Sequence, residues 1–301
     1  MIRLGTRGSK LALAQAESVA DVLTREGAQV EIVIITTTGD RSSSAPTGSA
    51  TGIFVKELET ELLRRRIDLA AHSLKDMPTD LPAGLALGAV LRRASALDAL
   101  VSRDRGTAIH NLPHEAGIGT SSPRRSAQLL AYRRDLDVRP VRGNVDTRLR
   151  KLDAGEFDAI VLAQAGLERL GLAADTRPYV IPPGICLPAP GQGAVAVEVR
   201  GDDERMAELL QPLEDAETRA CVTAERAFLK ALGGGCRAPV GALGTMSANG
   251  LRIEGVVVSP DGKDVVRGAR DGAADDALAV GQALARDLQE RGAGALIEAA
   301  R

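Results

Sequence analysis

The chain has 301 residues, enough for two or three domains with a sizeable core. It is 44% hydrophobic and 26% charged, with only 2% aromatic residues and a net charge of −2. That balance gives no global field to attract nucleic acid or a membrane surface, and too few stacking platforms for a single-strand binder. Any anion site must therefore be local. No apolar run approaches the length of a membrane span, and the first residues read as a strand and not as an apolar leader. Cys186, Cys221 and Cys236 are odd in number and scattered, which fits a reducing cytoplasm better than a disulfide framework. Three scattered histidines offer no metal-ligand spacing.

In chain order, 2–6 reads as a short strand. Ser9 then caps a helix with apolar residues at Leu11, Ala12, Ala16, Val19 and Leu23. The continuous apolar run at 30–36 predicts a buried strand. A loop rich in Ser, Thr and Gly follows over 40–52 and reads as mobile. A helix is expected over 53–65 and a strand over 68–73, ending at Lys75, Asp76 and Pro78. The same grammar recurs: strand to Gly119, helix over 126–133, strand over 138–141, helix over 147–154, strand over 158–163, and a short helix around Leu167. Strands alternating with helices predict α/β layers with mostly parallel sheets. Five prolines between 178 and 193 exclude regular structure there and suggest a boundary or hinge. A strand over 194–199, a helix over 216–232, a hairpin turning at Ser259-Pro260-Asp261-Gly262, and a last helix over 274–291 predict a small α+β end domain.

Three strand-end turns each carry arginine and a capping hydroxyl. They are Arg7-Gly8-Ser9, Ser122-Pro123-Arg124-Arg125, and Arg142-Gly143-Asn144-Val145-Asp146-Thr147-Arg148. A helix start offers free N–H groups and a positive dipole end, so arginines in its first turn call for an anion. In open α/β sheets such carboxyl ends line the ligand crevice, and guanidinium forks suit carboxylates or phosphates. Taken singly, each turn reads equally as an exposed helix start. Lys75-Asp76 sits at the same rim, where a carboxylate can stabilise a cationic intermediate or shuttle a proton; the plainer reading is a surface ion pair. Cys236 follows three glycines and precedes Arg237, an accessible setting that favours thiolate; the plainer reading is a small buried residue. His72 reads as a packed strand residue.

Together these strings resemble the porphobilinogen deaminase (hydroxymethylbilane synthase) family. The matching stretches begin at Thr6-Arg7-Gly8-Ser9, Phe54-Val55-Lys56-Glu57-Leu58-Glu59, His72-Ser73-Leu74-Lys75-Asp76-Met77-Pro78, Gly119, Arg142, Leu187-Pro188-Ala189-Pro190-Gly191-Gln192-Gly193, and Gly234-Gly235-Cys236. They occur in family order across nearly the whole chain. The resemblance implies two solute-binding-protein-like α/β domains flanking a cleft, over 1–91 with 194–211 and over 98–187. A small α+β domain over 216–301 would carry the cysteine. It also implies a dipyrromethane cofactor joined by a thioether to Cys236, onto which four porphobilinogen molecules condense with loss of ammonia. Each condensation would proceed through an azafulvene, before water releases linear hydroxymethylbilane for haem biosynthesis. By residue matching, Asp76 and Lys75 would be catalytic. Ser122, Arg124, Arg125, Lys75 and Asp76 would hold the cofactor. Arg7, Ser9, Gln15, Arg142, Arg148, Arg169 and Phe54 would meet substrate or the growing chain. No metal is implied, and the resemblance suggests a cytoplasmic monomer with no nucleic-acid or membrane partner. One departure stands out: Thr51 occupies a mobile-loop position where the family usually has lysine. A non-catalytic anion-binding module would share the α/β part, but leaves the Gly-Gly-Cys segment without a purpose.

Overall fold

Short apolar runs become strands and the capped amphipathic runs become helices in the computed structural model, which describes residues 1–36, 55–233 and 238–300. In chain order the strands are β1 (Ile2–Thr6), β2 (Val30–Ile34), β3 (Leu69–Ser73), β4 (Leu85–Val90), β5 (Asp98–Ser102), β6 (Gly117–Gly119) and β7 (Asp137–Arg139). They continue as β8 (Ala159–Ala163), β9 (Tyr179–Val180), β10 (Val195–Arg200), β11 (Val240–Ser247), β12 (Gly250–Val258) and β13 (Val265–Gly272). The chain divides into two compact units, Met1–Ala94 with Ala194–Arg219, and Ser95–Gly193 with Ala220–Arg301.

The first unit holds a sheet in the order β2-β1-β3-β10-β4. The helix Lys10–Arg25 starts where Ser9 Oγ accepts the Ala12 N–H at 3.3 Å. It buries Ala12, Gln15, Ala16, Val19 and Leu23, one stripe at helical spacing. Leu4, Val19, Leu23, Leu69 and Val197 fill the core on that face. The helix Lys56–Leu63 covers the other with Leu58 and Leu62 against Ile67 and Ala70. Each fully buried Leu contributes about 1.5–3 kcal/mol. The apolar run at 30–36 does not become a buried strand. It lies at the sheet edge, where Ile34 is 57% exposed.

The second unit repeats that order as β7-β6-β8-β5-β9. Ser122 caps the helix Pro123–Tyr132, and Asn144 Oδ1 accepts the Thr147 N–H at 3.0 Å to cap the helix Val145–Asp153. The expectation of mostly parallel sheets is corrected. Among the described residues, β1 pairs parallel with β2 and β3, but β10 runs antiparallel to β3 and β4. Likewise β6 is parallel to β7 and β8, while β5 is antiparallel to β8 and β9. The antiparallel strand in each sheet is the one entered directly after the chain passes from one unit to the other.

The second unit also contains the antiparallel meander β11-β12-β13. Phe228 and Ala224 of the helix Ala216–Ala231 pack with Ile253, Val257 and Leu284 in its core. Buried Glu225 accepts the Gly191 N–H at 2.6 Å and the Gly244 N–H at 2.7 Å, joining the proline-rich segment to β11. No helix among the described residues is long and apolar enough to cross a membrane.

Candidate functional site

In the first unit, the carboxyl ends of β1 and β3 gather four of the expected site residues around one pocket. Arg7 and Ser9 follow β1, Gln15 lies on the capped helix, and Asp76 ends the single 3₁₀ turn Leu74–Asp76 after β3. His72, Ser73 and Val55 complete the polar and apolar walls. Gln15 Nε2 lies 2.9 Å from Ser73 Oγ, and that hydroxyl lies 3.1 Å from Gln15 Oε1, so the amide fixes the end of β3. Asp76 is exposed, so its carboxylate can meet a ligand directly, and Lys75 beside it is half-buried. A guanidinium, two hydroxyls and a carboxylate around one concavity suit a small ligand that carries both acid groups and a cationic nitrogen.

His72 packs into the sheet as the sequence suggests, and it has a partner that sequence spacing did not reveal. Its Nε2 lies 3.1 Å from Glu198 Oε2 on β10, with both side chains buried. Glu59, from the helix Lys56–Leu63, adds a second carboxyl. Burial and then the nearby Glu198 charge push Glu59 above its ordinary carboxyl range, against smaller opposite effects of His72 and Lys56.

In the second unit, Arg124 and Arg125 sit in the first helical turn as expected, and the anion that justifies them is internal. Arg124 Nη1 donates to Asp98 Oδ2 at 2.5 Å, while Arg125 Nε and Nη2 donate to Asp98 Oδ1 at 3.0 and 2.7 Å. Asp98 is fully buried, and the two arginines are 4% and 6% exposed. Burial raises the Asp98 carboxyl, but the two guanidiniums outweigh it and hold it well below the usual range. Cys186 lies in the same cluster, and burial followed by the Asp98 charge pushes its thiol up to about 12, so it is inert. Cys221 is buried in its helix.

Arg148 and Arg169 differ from that pair. Arg148 Nε donates to Gly143 O at 2.8 Å and Arg169 Nη2 to Gly193 O at 2.7 Å, and neither makes an ion pair among the described residues. Burial, then the charge of Arg125, pulls Arg148 below the ordinary arginine range; burial does the same to Arg169. Glu168 acts the other way on Arg169, and a half-buried cation without a salt bridge can accept an incoming anion. Ser122 is half-buried at its cap and Arg142 is exposed nearby in sequence. Phe54, Thr51, the loop over 40–52 and Cys236 lie outside the described residues.

Residues 2–208 match the family model "Porphobilinogen deaminase, dipyromethane cofactor binding domain", and residues 219–290 match "Porphobilinogen deaminase, C-terminal domain". The chain belongs to the porphobilinogen deaminase family. A porphobilinogen deaminase from Pelotomaculum thermopropionicum is 51% identical over 304 residues, covering 100% of this chain and 97% of its own. Another from Desulforudis audaxviator is 52% identical, covering 98% and 96%. Among solved structures, a methionine-binding protein, MetQ, aligns at 17% identity with a TM-score of 0.45, covering 72% of this chain and 91% of its own. The deaminase cofactor-binding region thus includes Arg7, Asp76, Arg124, Arg125, Arg148 and Arg169. Reading single positions missed Ser73, Asp98 and Glu198. Asp98 opens a strand and Glu198 sits inside one, and a buried acid in an apolar run is itself a signal that a cation lies opposite.

Proposed function

We propose that the chain is a hydroxymethylbilane synthase, joining four porphobilinogen molecules head to tail with loss of ammonia and releasing the linear tetrapyrrole with water. The observation that supports this reading beyond family membership is that two half-buried guanidiniums, Arg148 and Arg169, are held by backbone carbonyls and make no salt bridge among the described residues. Each pyrrole of the substrate bears acetate and propionate groups, so a growing chain is a polyanion that such cations would hold.

The dipyrromethane group fits the residues present, since the second unit has an excess of arginine over buried acid around Asp98. When bound through a thioether to Cys236, it supplies the nucleophilic pyrrole carbon that starts the chain. Ser122, Arg124, Arg125 and Lys75 would hold its carboxylates, and Arg142, Arg148 and Arg169 those of added rings. In the first unit, Arg7 and Ser9 would bind the substrate carboxylates, and Gln15 would keep the Ser73 hydroxyl turned to the pocket. Asp76 would accept the pyrrole N–H of the substrate and offset the positive charge that develops there as ammonia departs. Phe54 would cover the pocket. The three-domain division, over 1–91 with 194–211, 98–187 and 216–301, belongs to the same reading, as do a monomeric state and a cytoplasmic location.

Intact mass of the purified chain tests the anchor. The expected result is added mass equal to two substrate-derived pyrrole rings, mapped to Cys236 and absent in Cys236→Ser. An unmodified thiol in a chain that turns over porphobilinogen would overturn it.

A further inference from the structure

We infer that Asp98 is a positioning residue for primer loading: it sets the two guanidiniums of Arg124 and Arg125 before the dipyrromethane arrives. The inference rests on the synthase reading above and extends it to a residue outside the expected site. Two segments distant in sequence converge on this one carboxylate. Arg125 donates two bonds and Gln192 Nε2 one, at 2.8 Å, to Oδ1, while Arg124 donates to Oδ2. Each partner is fixed at a second point. Arg124 Nη1 also donates to Leu187 O at 2.7 Å, Arg125 Nη1 to Val161 O at 2.9 Å, and Gln192 Nε2 to Ala96 O at 2.8 Å.

Burying a second guanidinium on the same acid costs desolvation and leaves one positive charge over. Side chains held at two points have lost their rotamer freedom before any ligand binds, so a ligand carboxylate meets donors already aimed. The surplus charge extends to the next arginine, since Arg125 is one of the groups acting on Arg148. Asp98 therefore presents an ordered, net-positive cluster to a polyanion without itself touching it.

Full-length chains carrying Asp98→Asn or Asp98→Glu, produced beside wild type, test this by intact mass, read as the fraction of chains bearing the primer. Asp98→Glu keeps the charge and displaces it by one methylene, so a purely neutralising acid would leave loading unchanged. Positioning predicts a fall of about threefold for Asp98→Glu and about tenfold for Asp98→Asn. Folding is read separately in a Cys236→Ser background, where no chain can carry primer. There the Asp98→Glu unfolding midpoint should stay within about 4 °C of its parent. Wild-type loading in Asp98→Glu overturns the proposal, and so does loss of the folded state in both variants. A wild-type chain without primer sinks the synthase reading, and the role of Asp98 falls with it.

Discussion

The two five-stranded sheets have the same strand order and surround a buried acid with different partners. The corresponding antiparallel strands, β10 and β5, each carry a buried acid. In the first unit Glu198 meets one imidazole and a second carboxyl, Glu59. In the second, Asp98 meets two guanidiniums. Topology fixes where a buried acid sits, and the residues opposite decide whether that acid faces a histidine and another acid or two arginines. On the proposed reading, Asp76 of the first unit meets the cationic nitrogen, and Arg148 and Arg169 of the second meet carboxylates. Among the expected site residues the one carboxylate, Asp76, lies in the first unit, while the cations are divided, with Arg7 and Lys75 in the first and Arg124, Arg125, Arg148 and Arg169 in the second.

The sharpest way to break that division is at Asp76. Asp76→Ala should fold, because the side chain is exposed, and should lose about a hundredfold or more in turnover. Turnover near wild type would remove chemistry from the first unit. Next is Arg148→Met, which should raise the porphobilinogen KM about tenfold while the unfolding midpoint of the protein without substrate holds or rises, since a desolvated cation is gone. A collapse of kcat at unchanged KM would place Arg148 in the chemistry instead. The smallest effect concerns Glu59. Its folded carboxyl titrates above the unfolded value of 4.5, so it detracts from stability as pH rises past that value. Glu59→Gln should therefore raise the midpoint by a few degrees (about 2–4 °C) near neutral pH and by nothing near pH 4. An equal gain at both pH values would show that burial of the Glu59 charge is not the cause.

Much of this was legible in sequence where local chemistry decides. Ser9, and Ser122 with Pro123, start helices because a side-chain oxygen meets a free N–H a few residues on, while the cap at Asn144 starts its helix two residues earlier than expected. The strands β4 and β11 were hidden by glycine. A Cβ at Gly88 would lie 2.6 Å from Leu210 Cδ1, and one at Gly244 would lie 2.9 Å from Cys221 Cα, so close packing demands the residue that weakens a strand signal. Asp98 disguised the start of β5 as loop. Arg7, Ser9, Gln15 and Asp76, expected from family matching, meet in one pocket. The carboxylates opposite His72 and Arg124 could not be read from spacing, since Glu198 and Asp98 are 126 and 26 residues away and only the sheet brings them in.

The placement of β10 has a consequence for how the chain is made. It is the fourth strand of the first sheet, between β3 and β4, and β4 joins that sheet only through it. Yet β10 leaves the ribosome after every strand of β5–β9. The first-emerging unit must wait, with the inner edge of β3 unpaired, while the α/β sheet of the second already has all its strands. A truncation before Val195 thus deprives the N-terminal sheet of its closure, and a nascent chain held at that length depends on whatever shields an open strand edge.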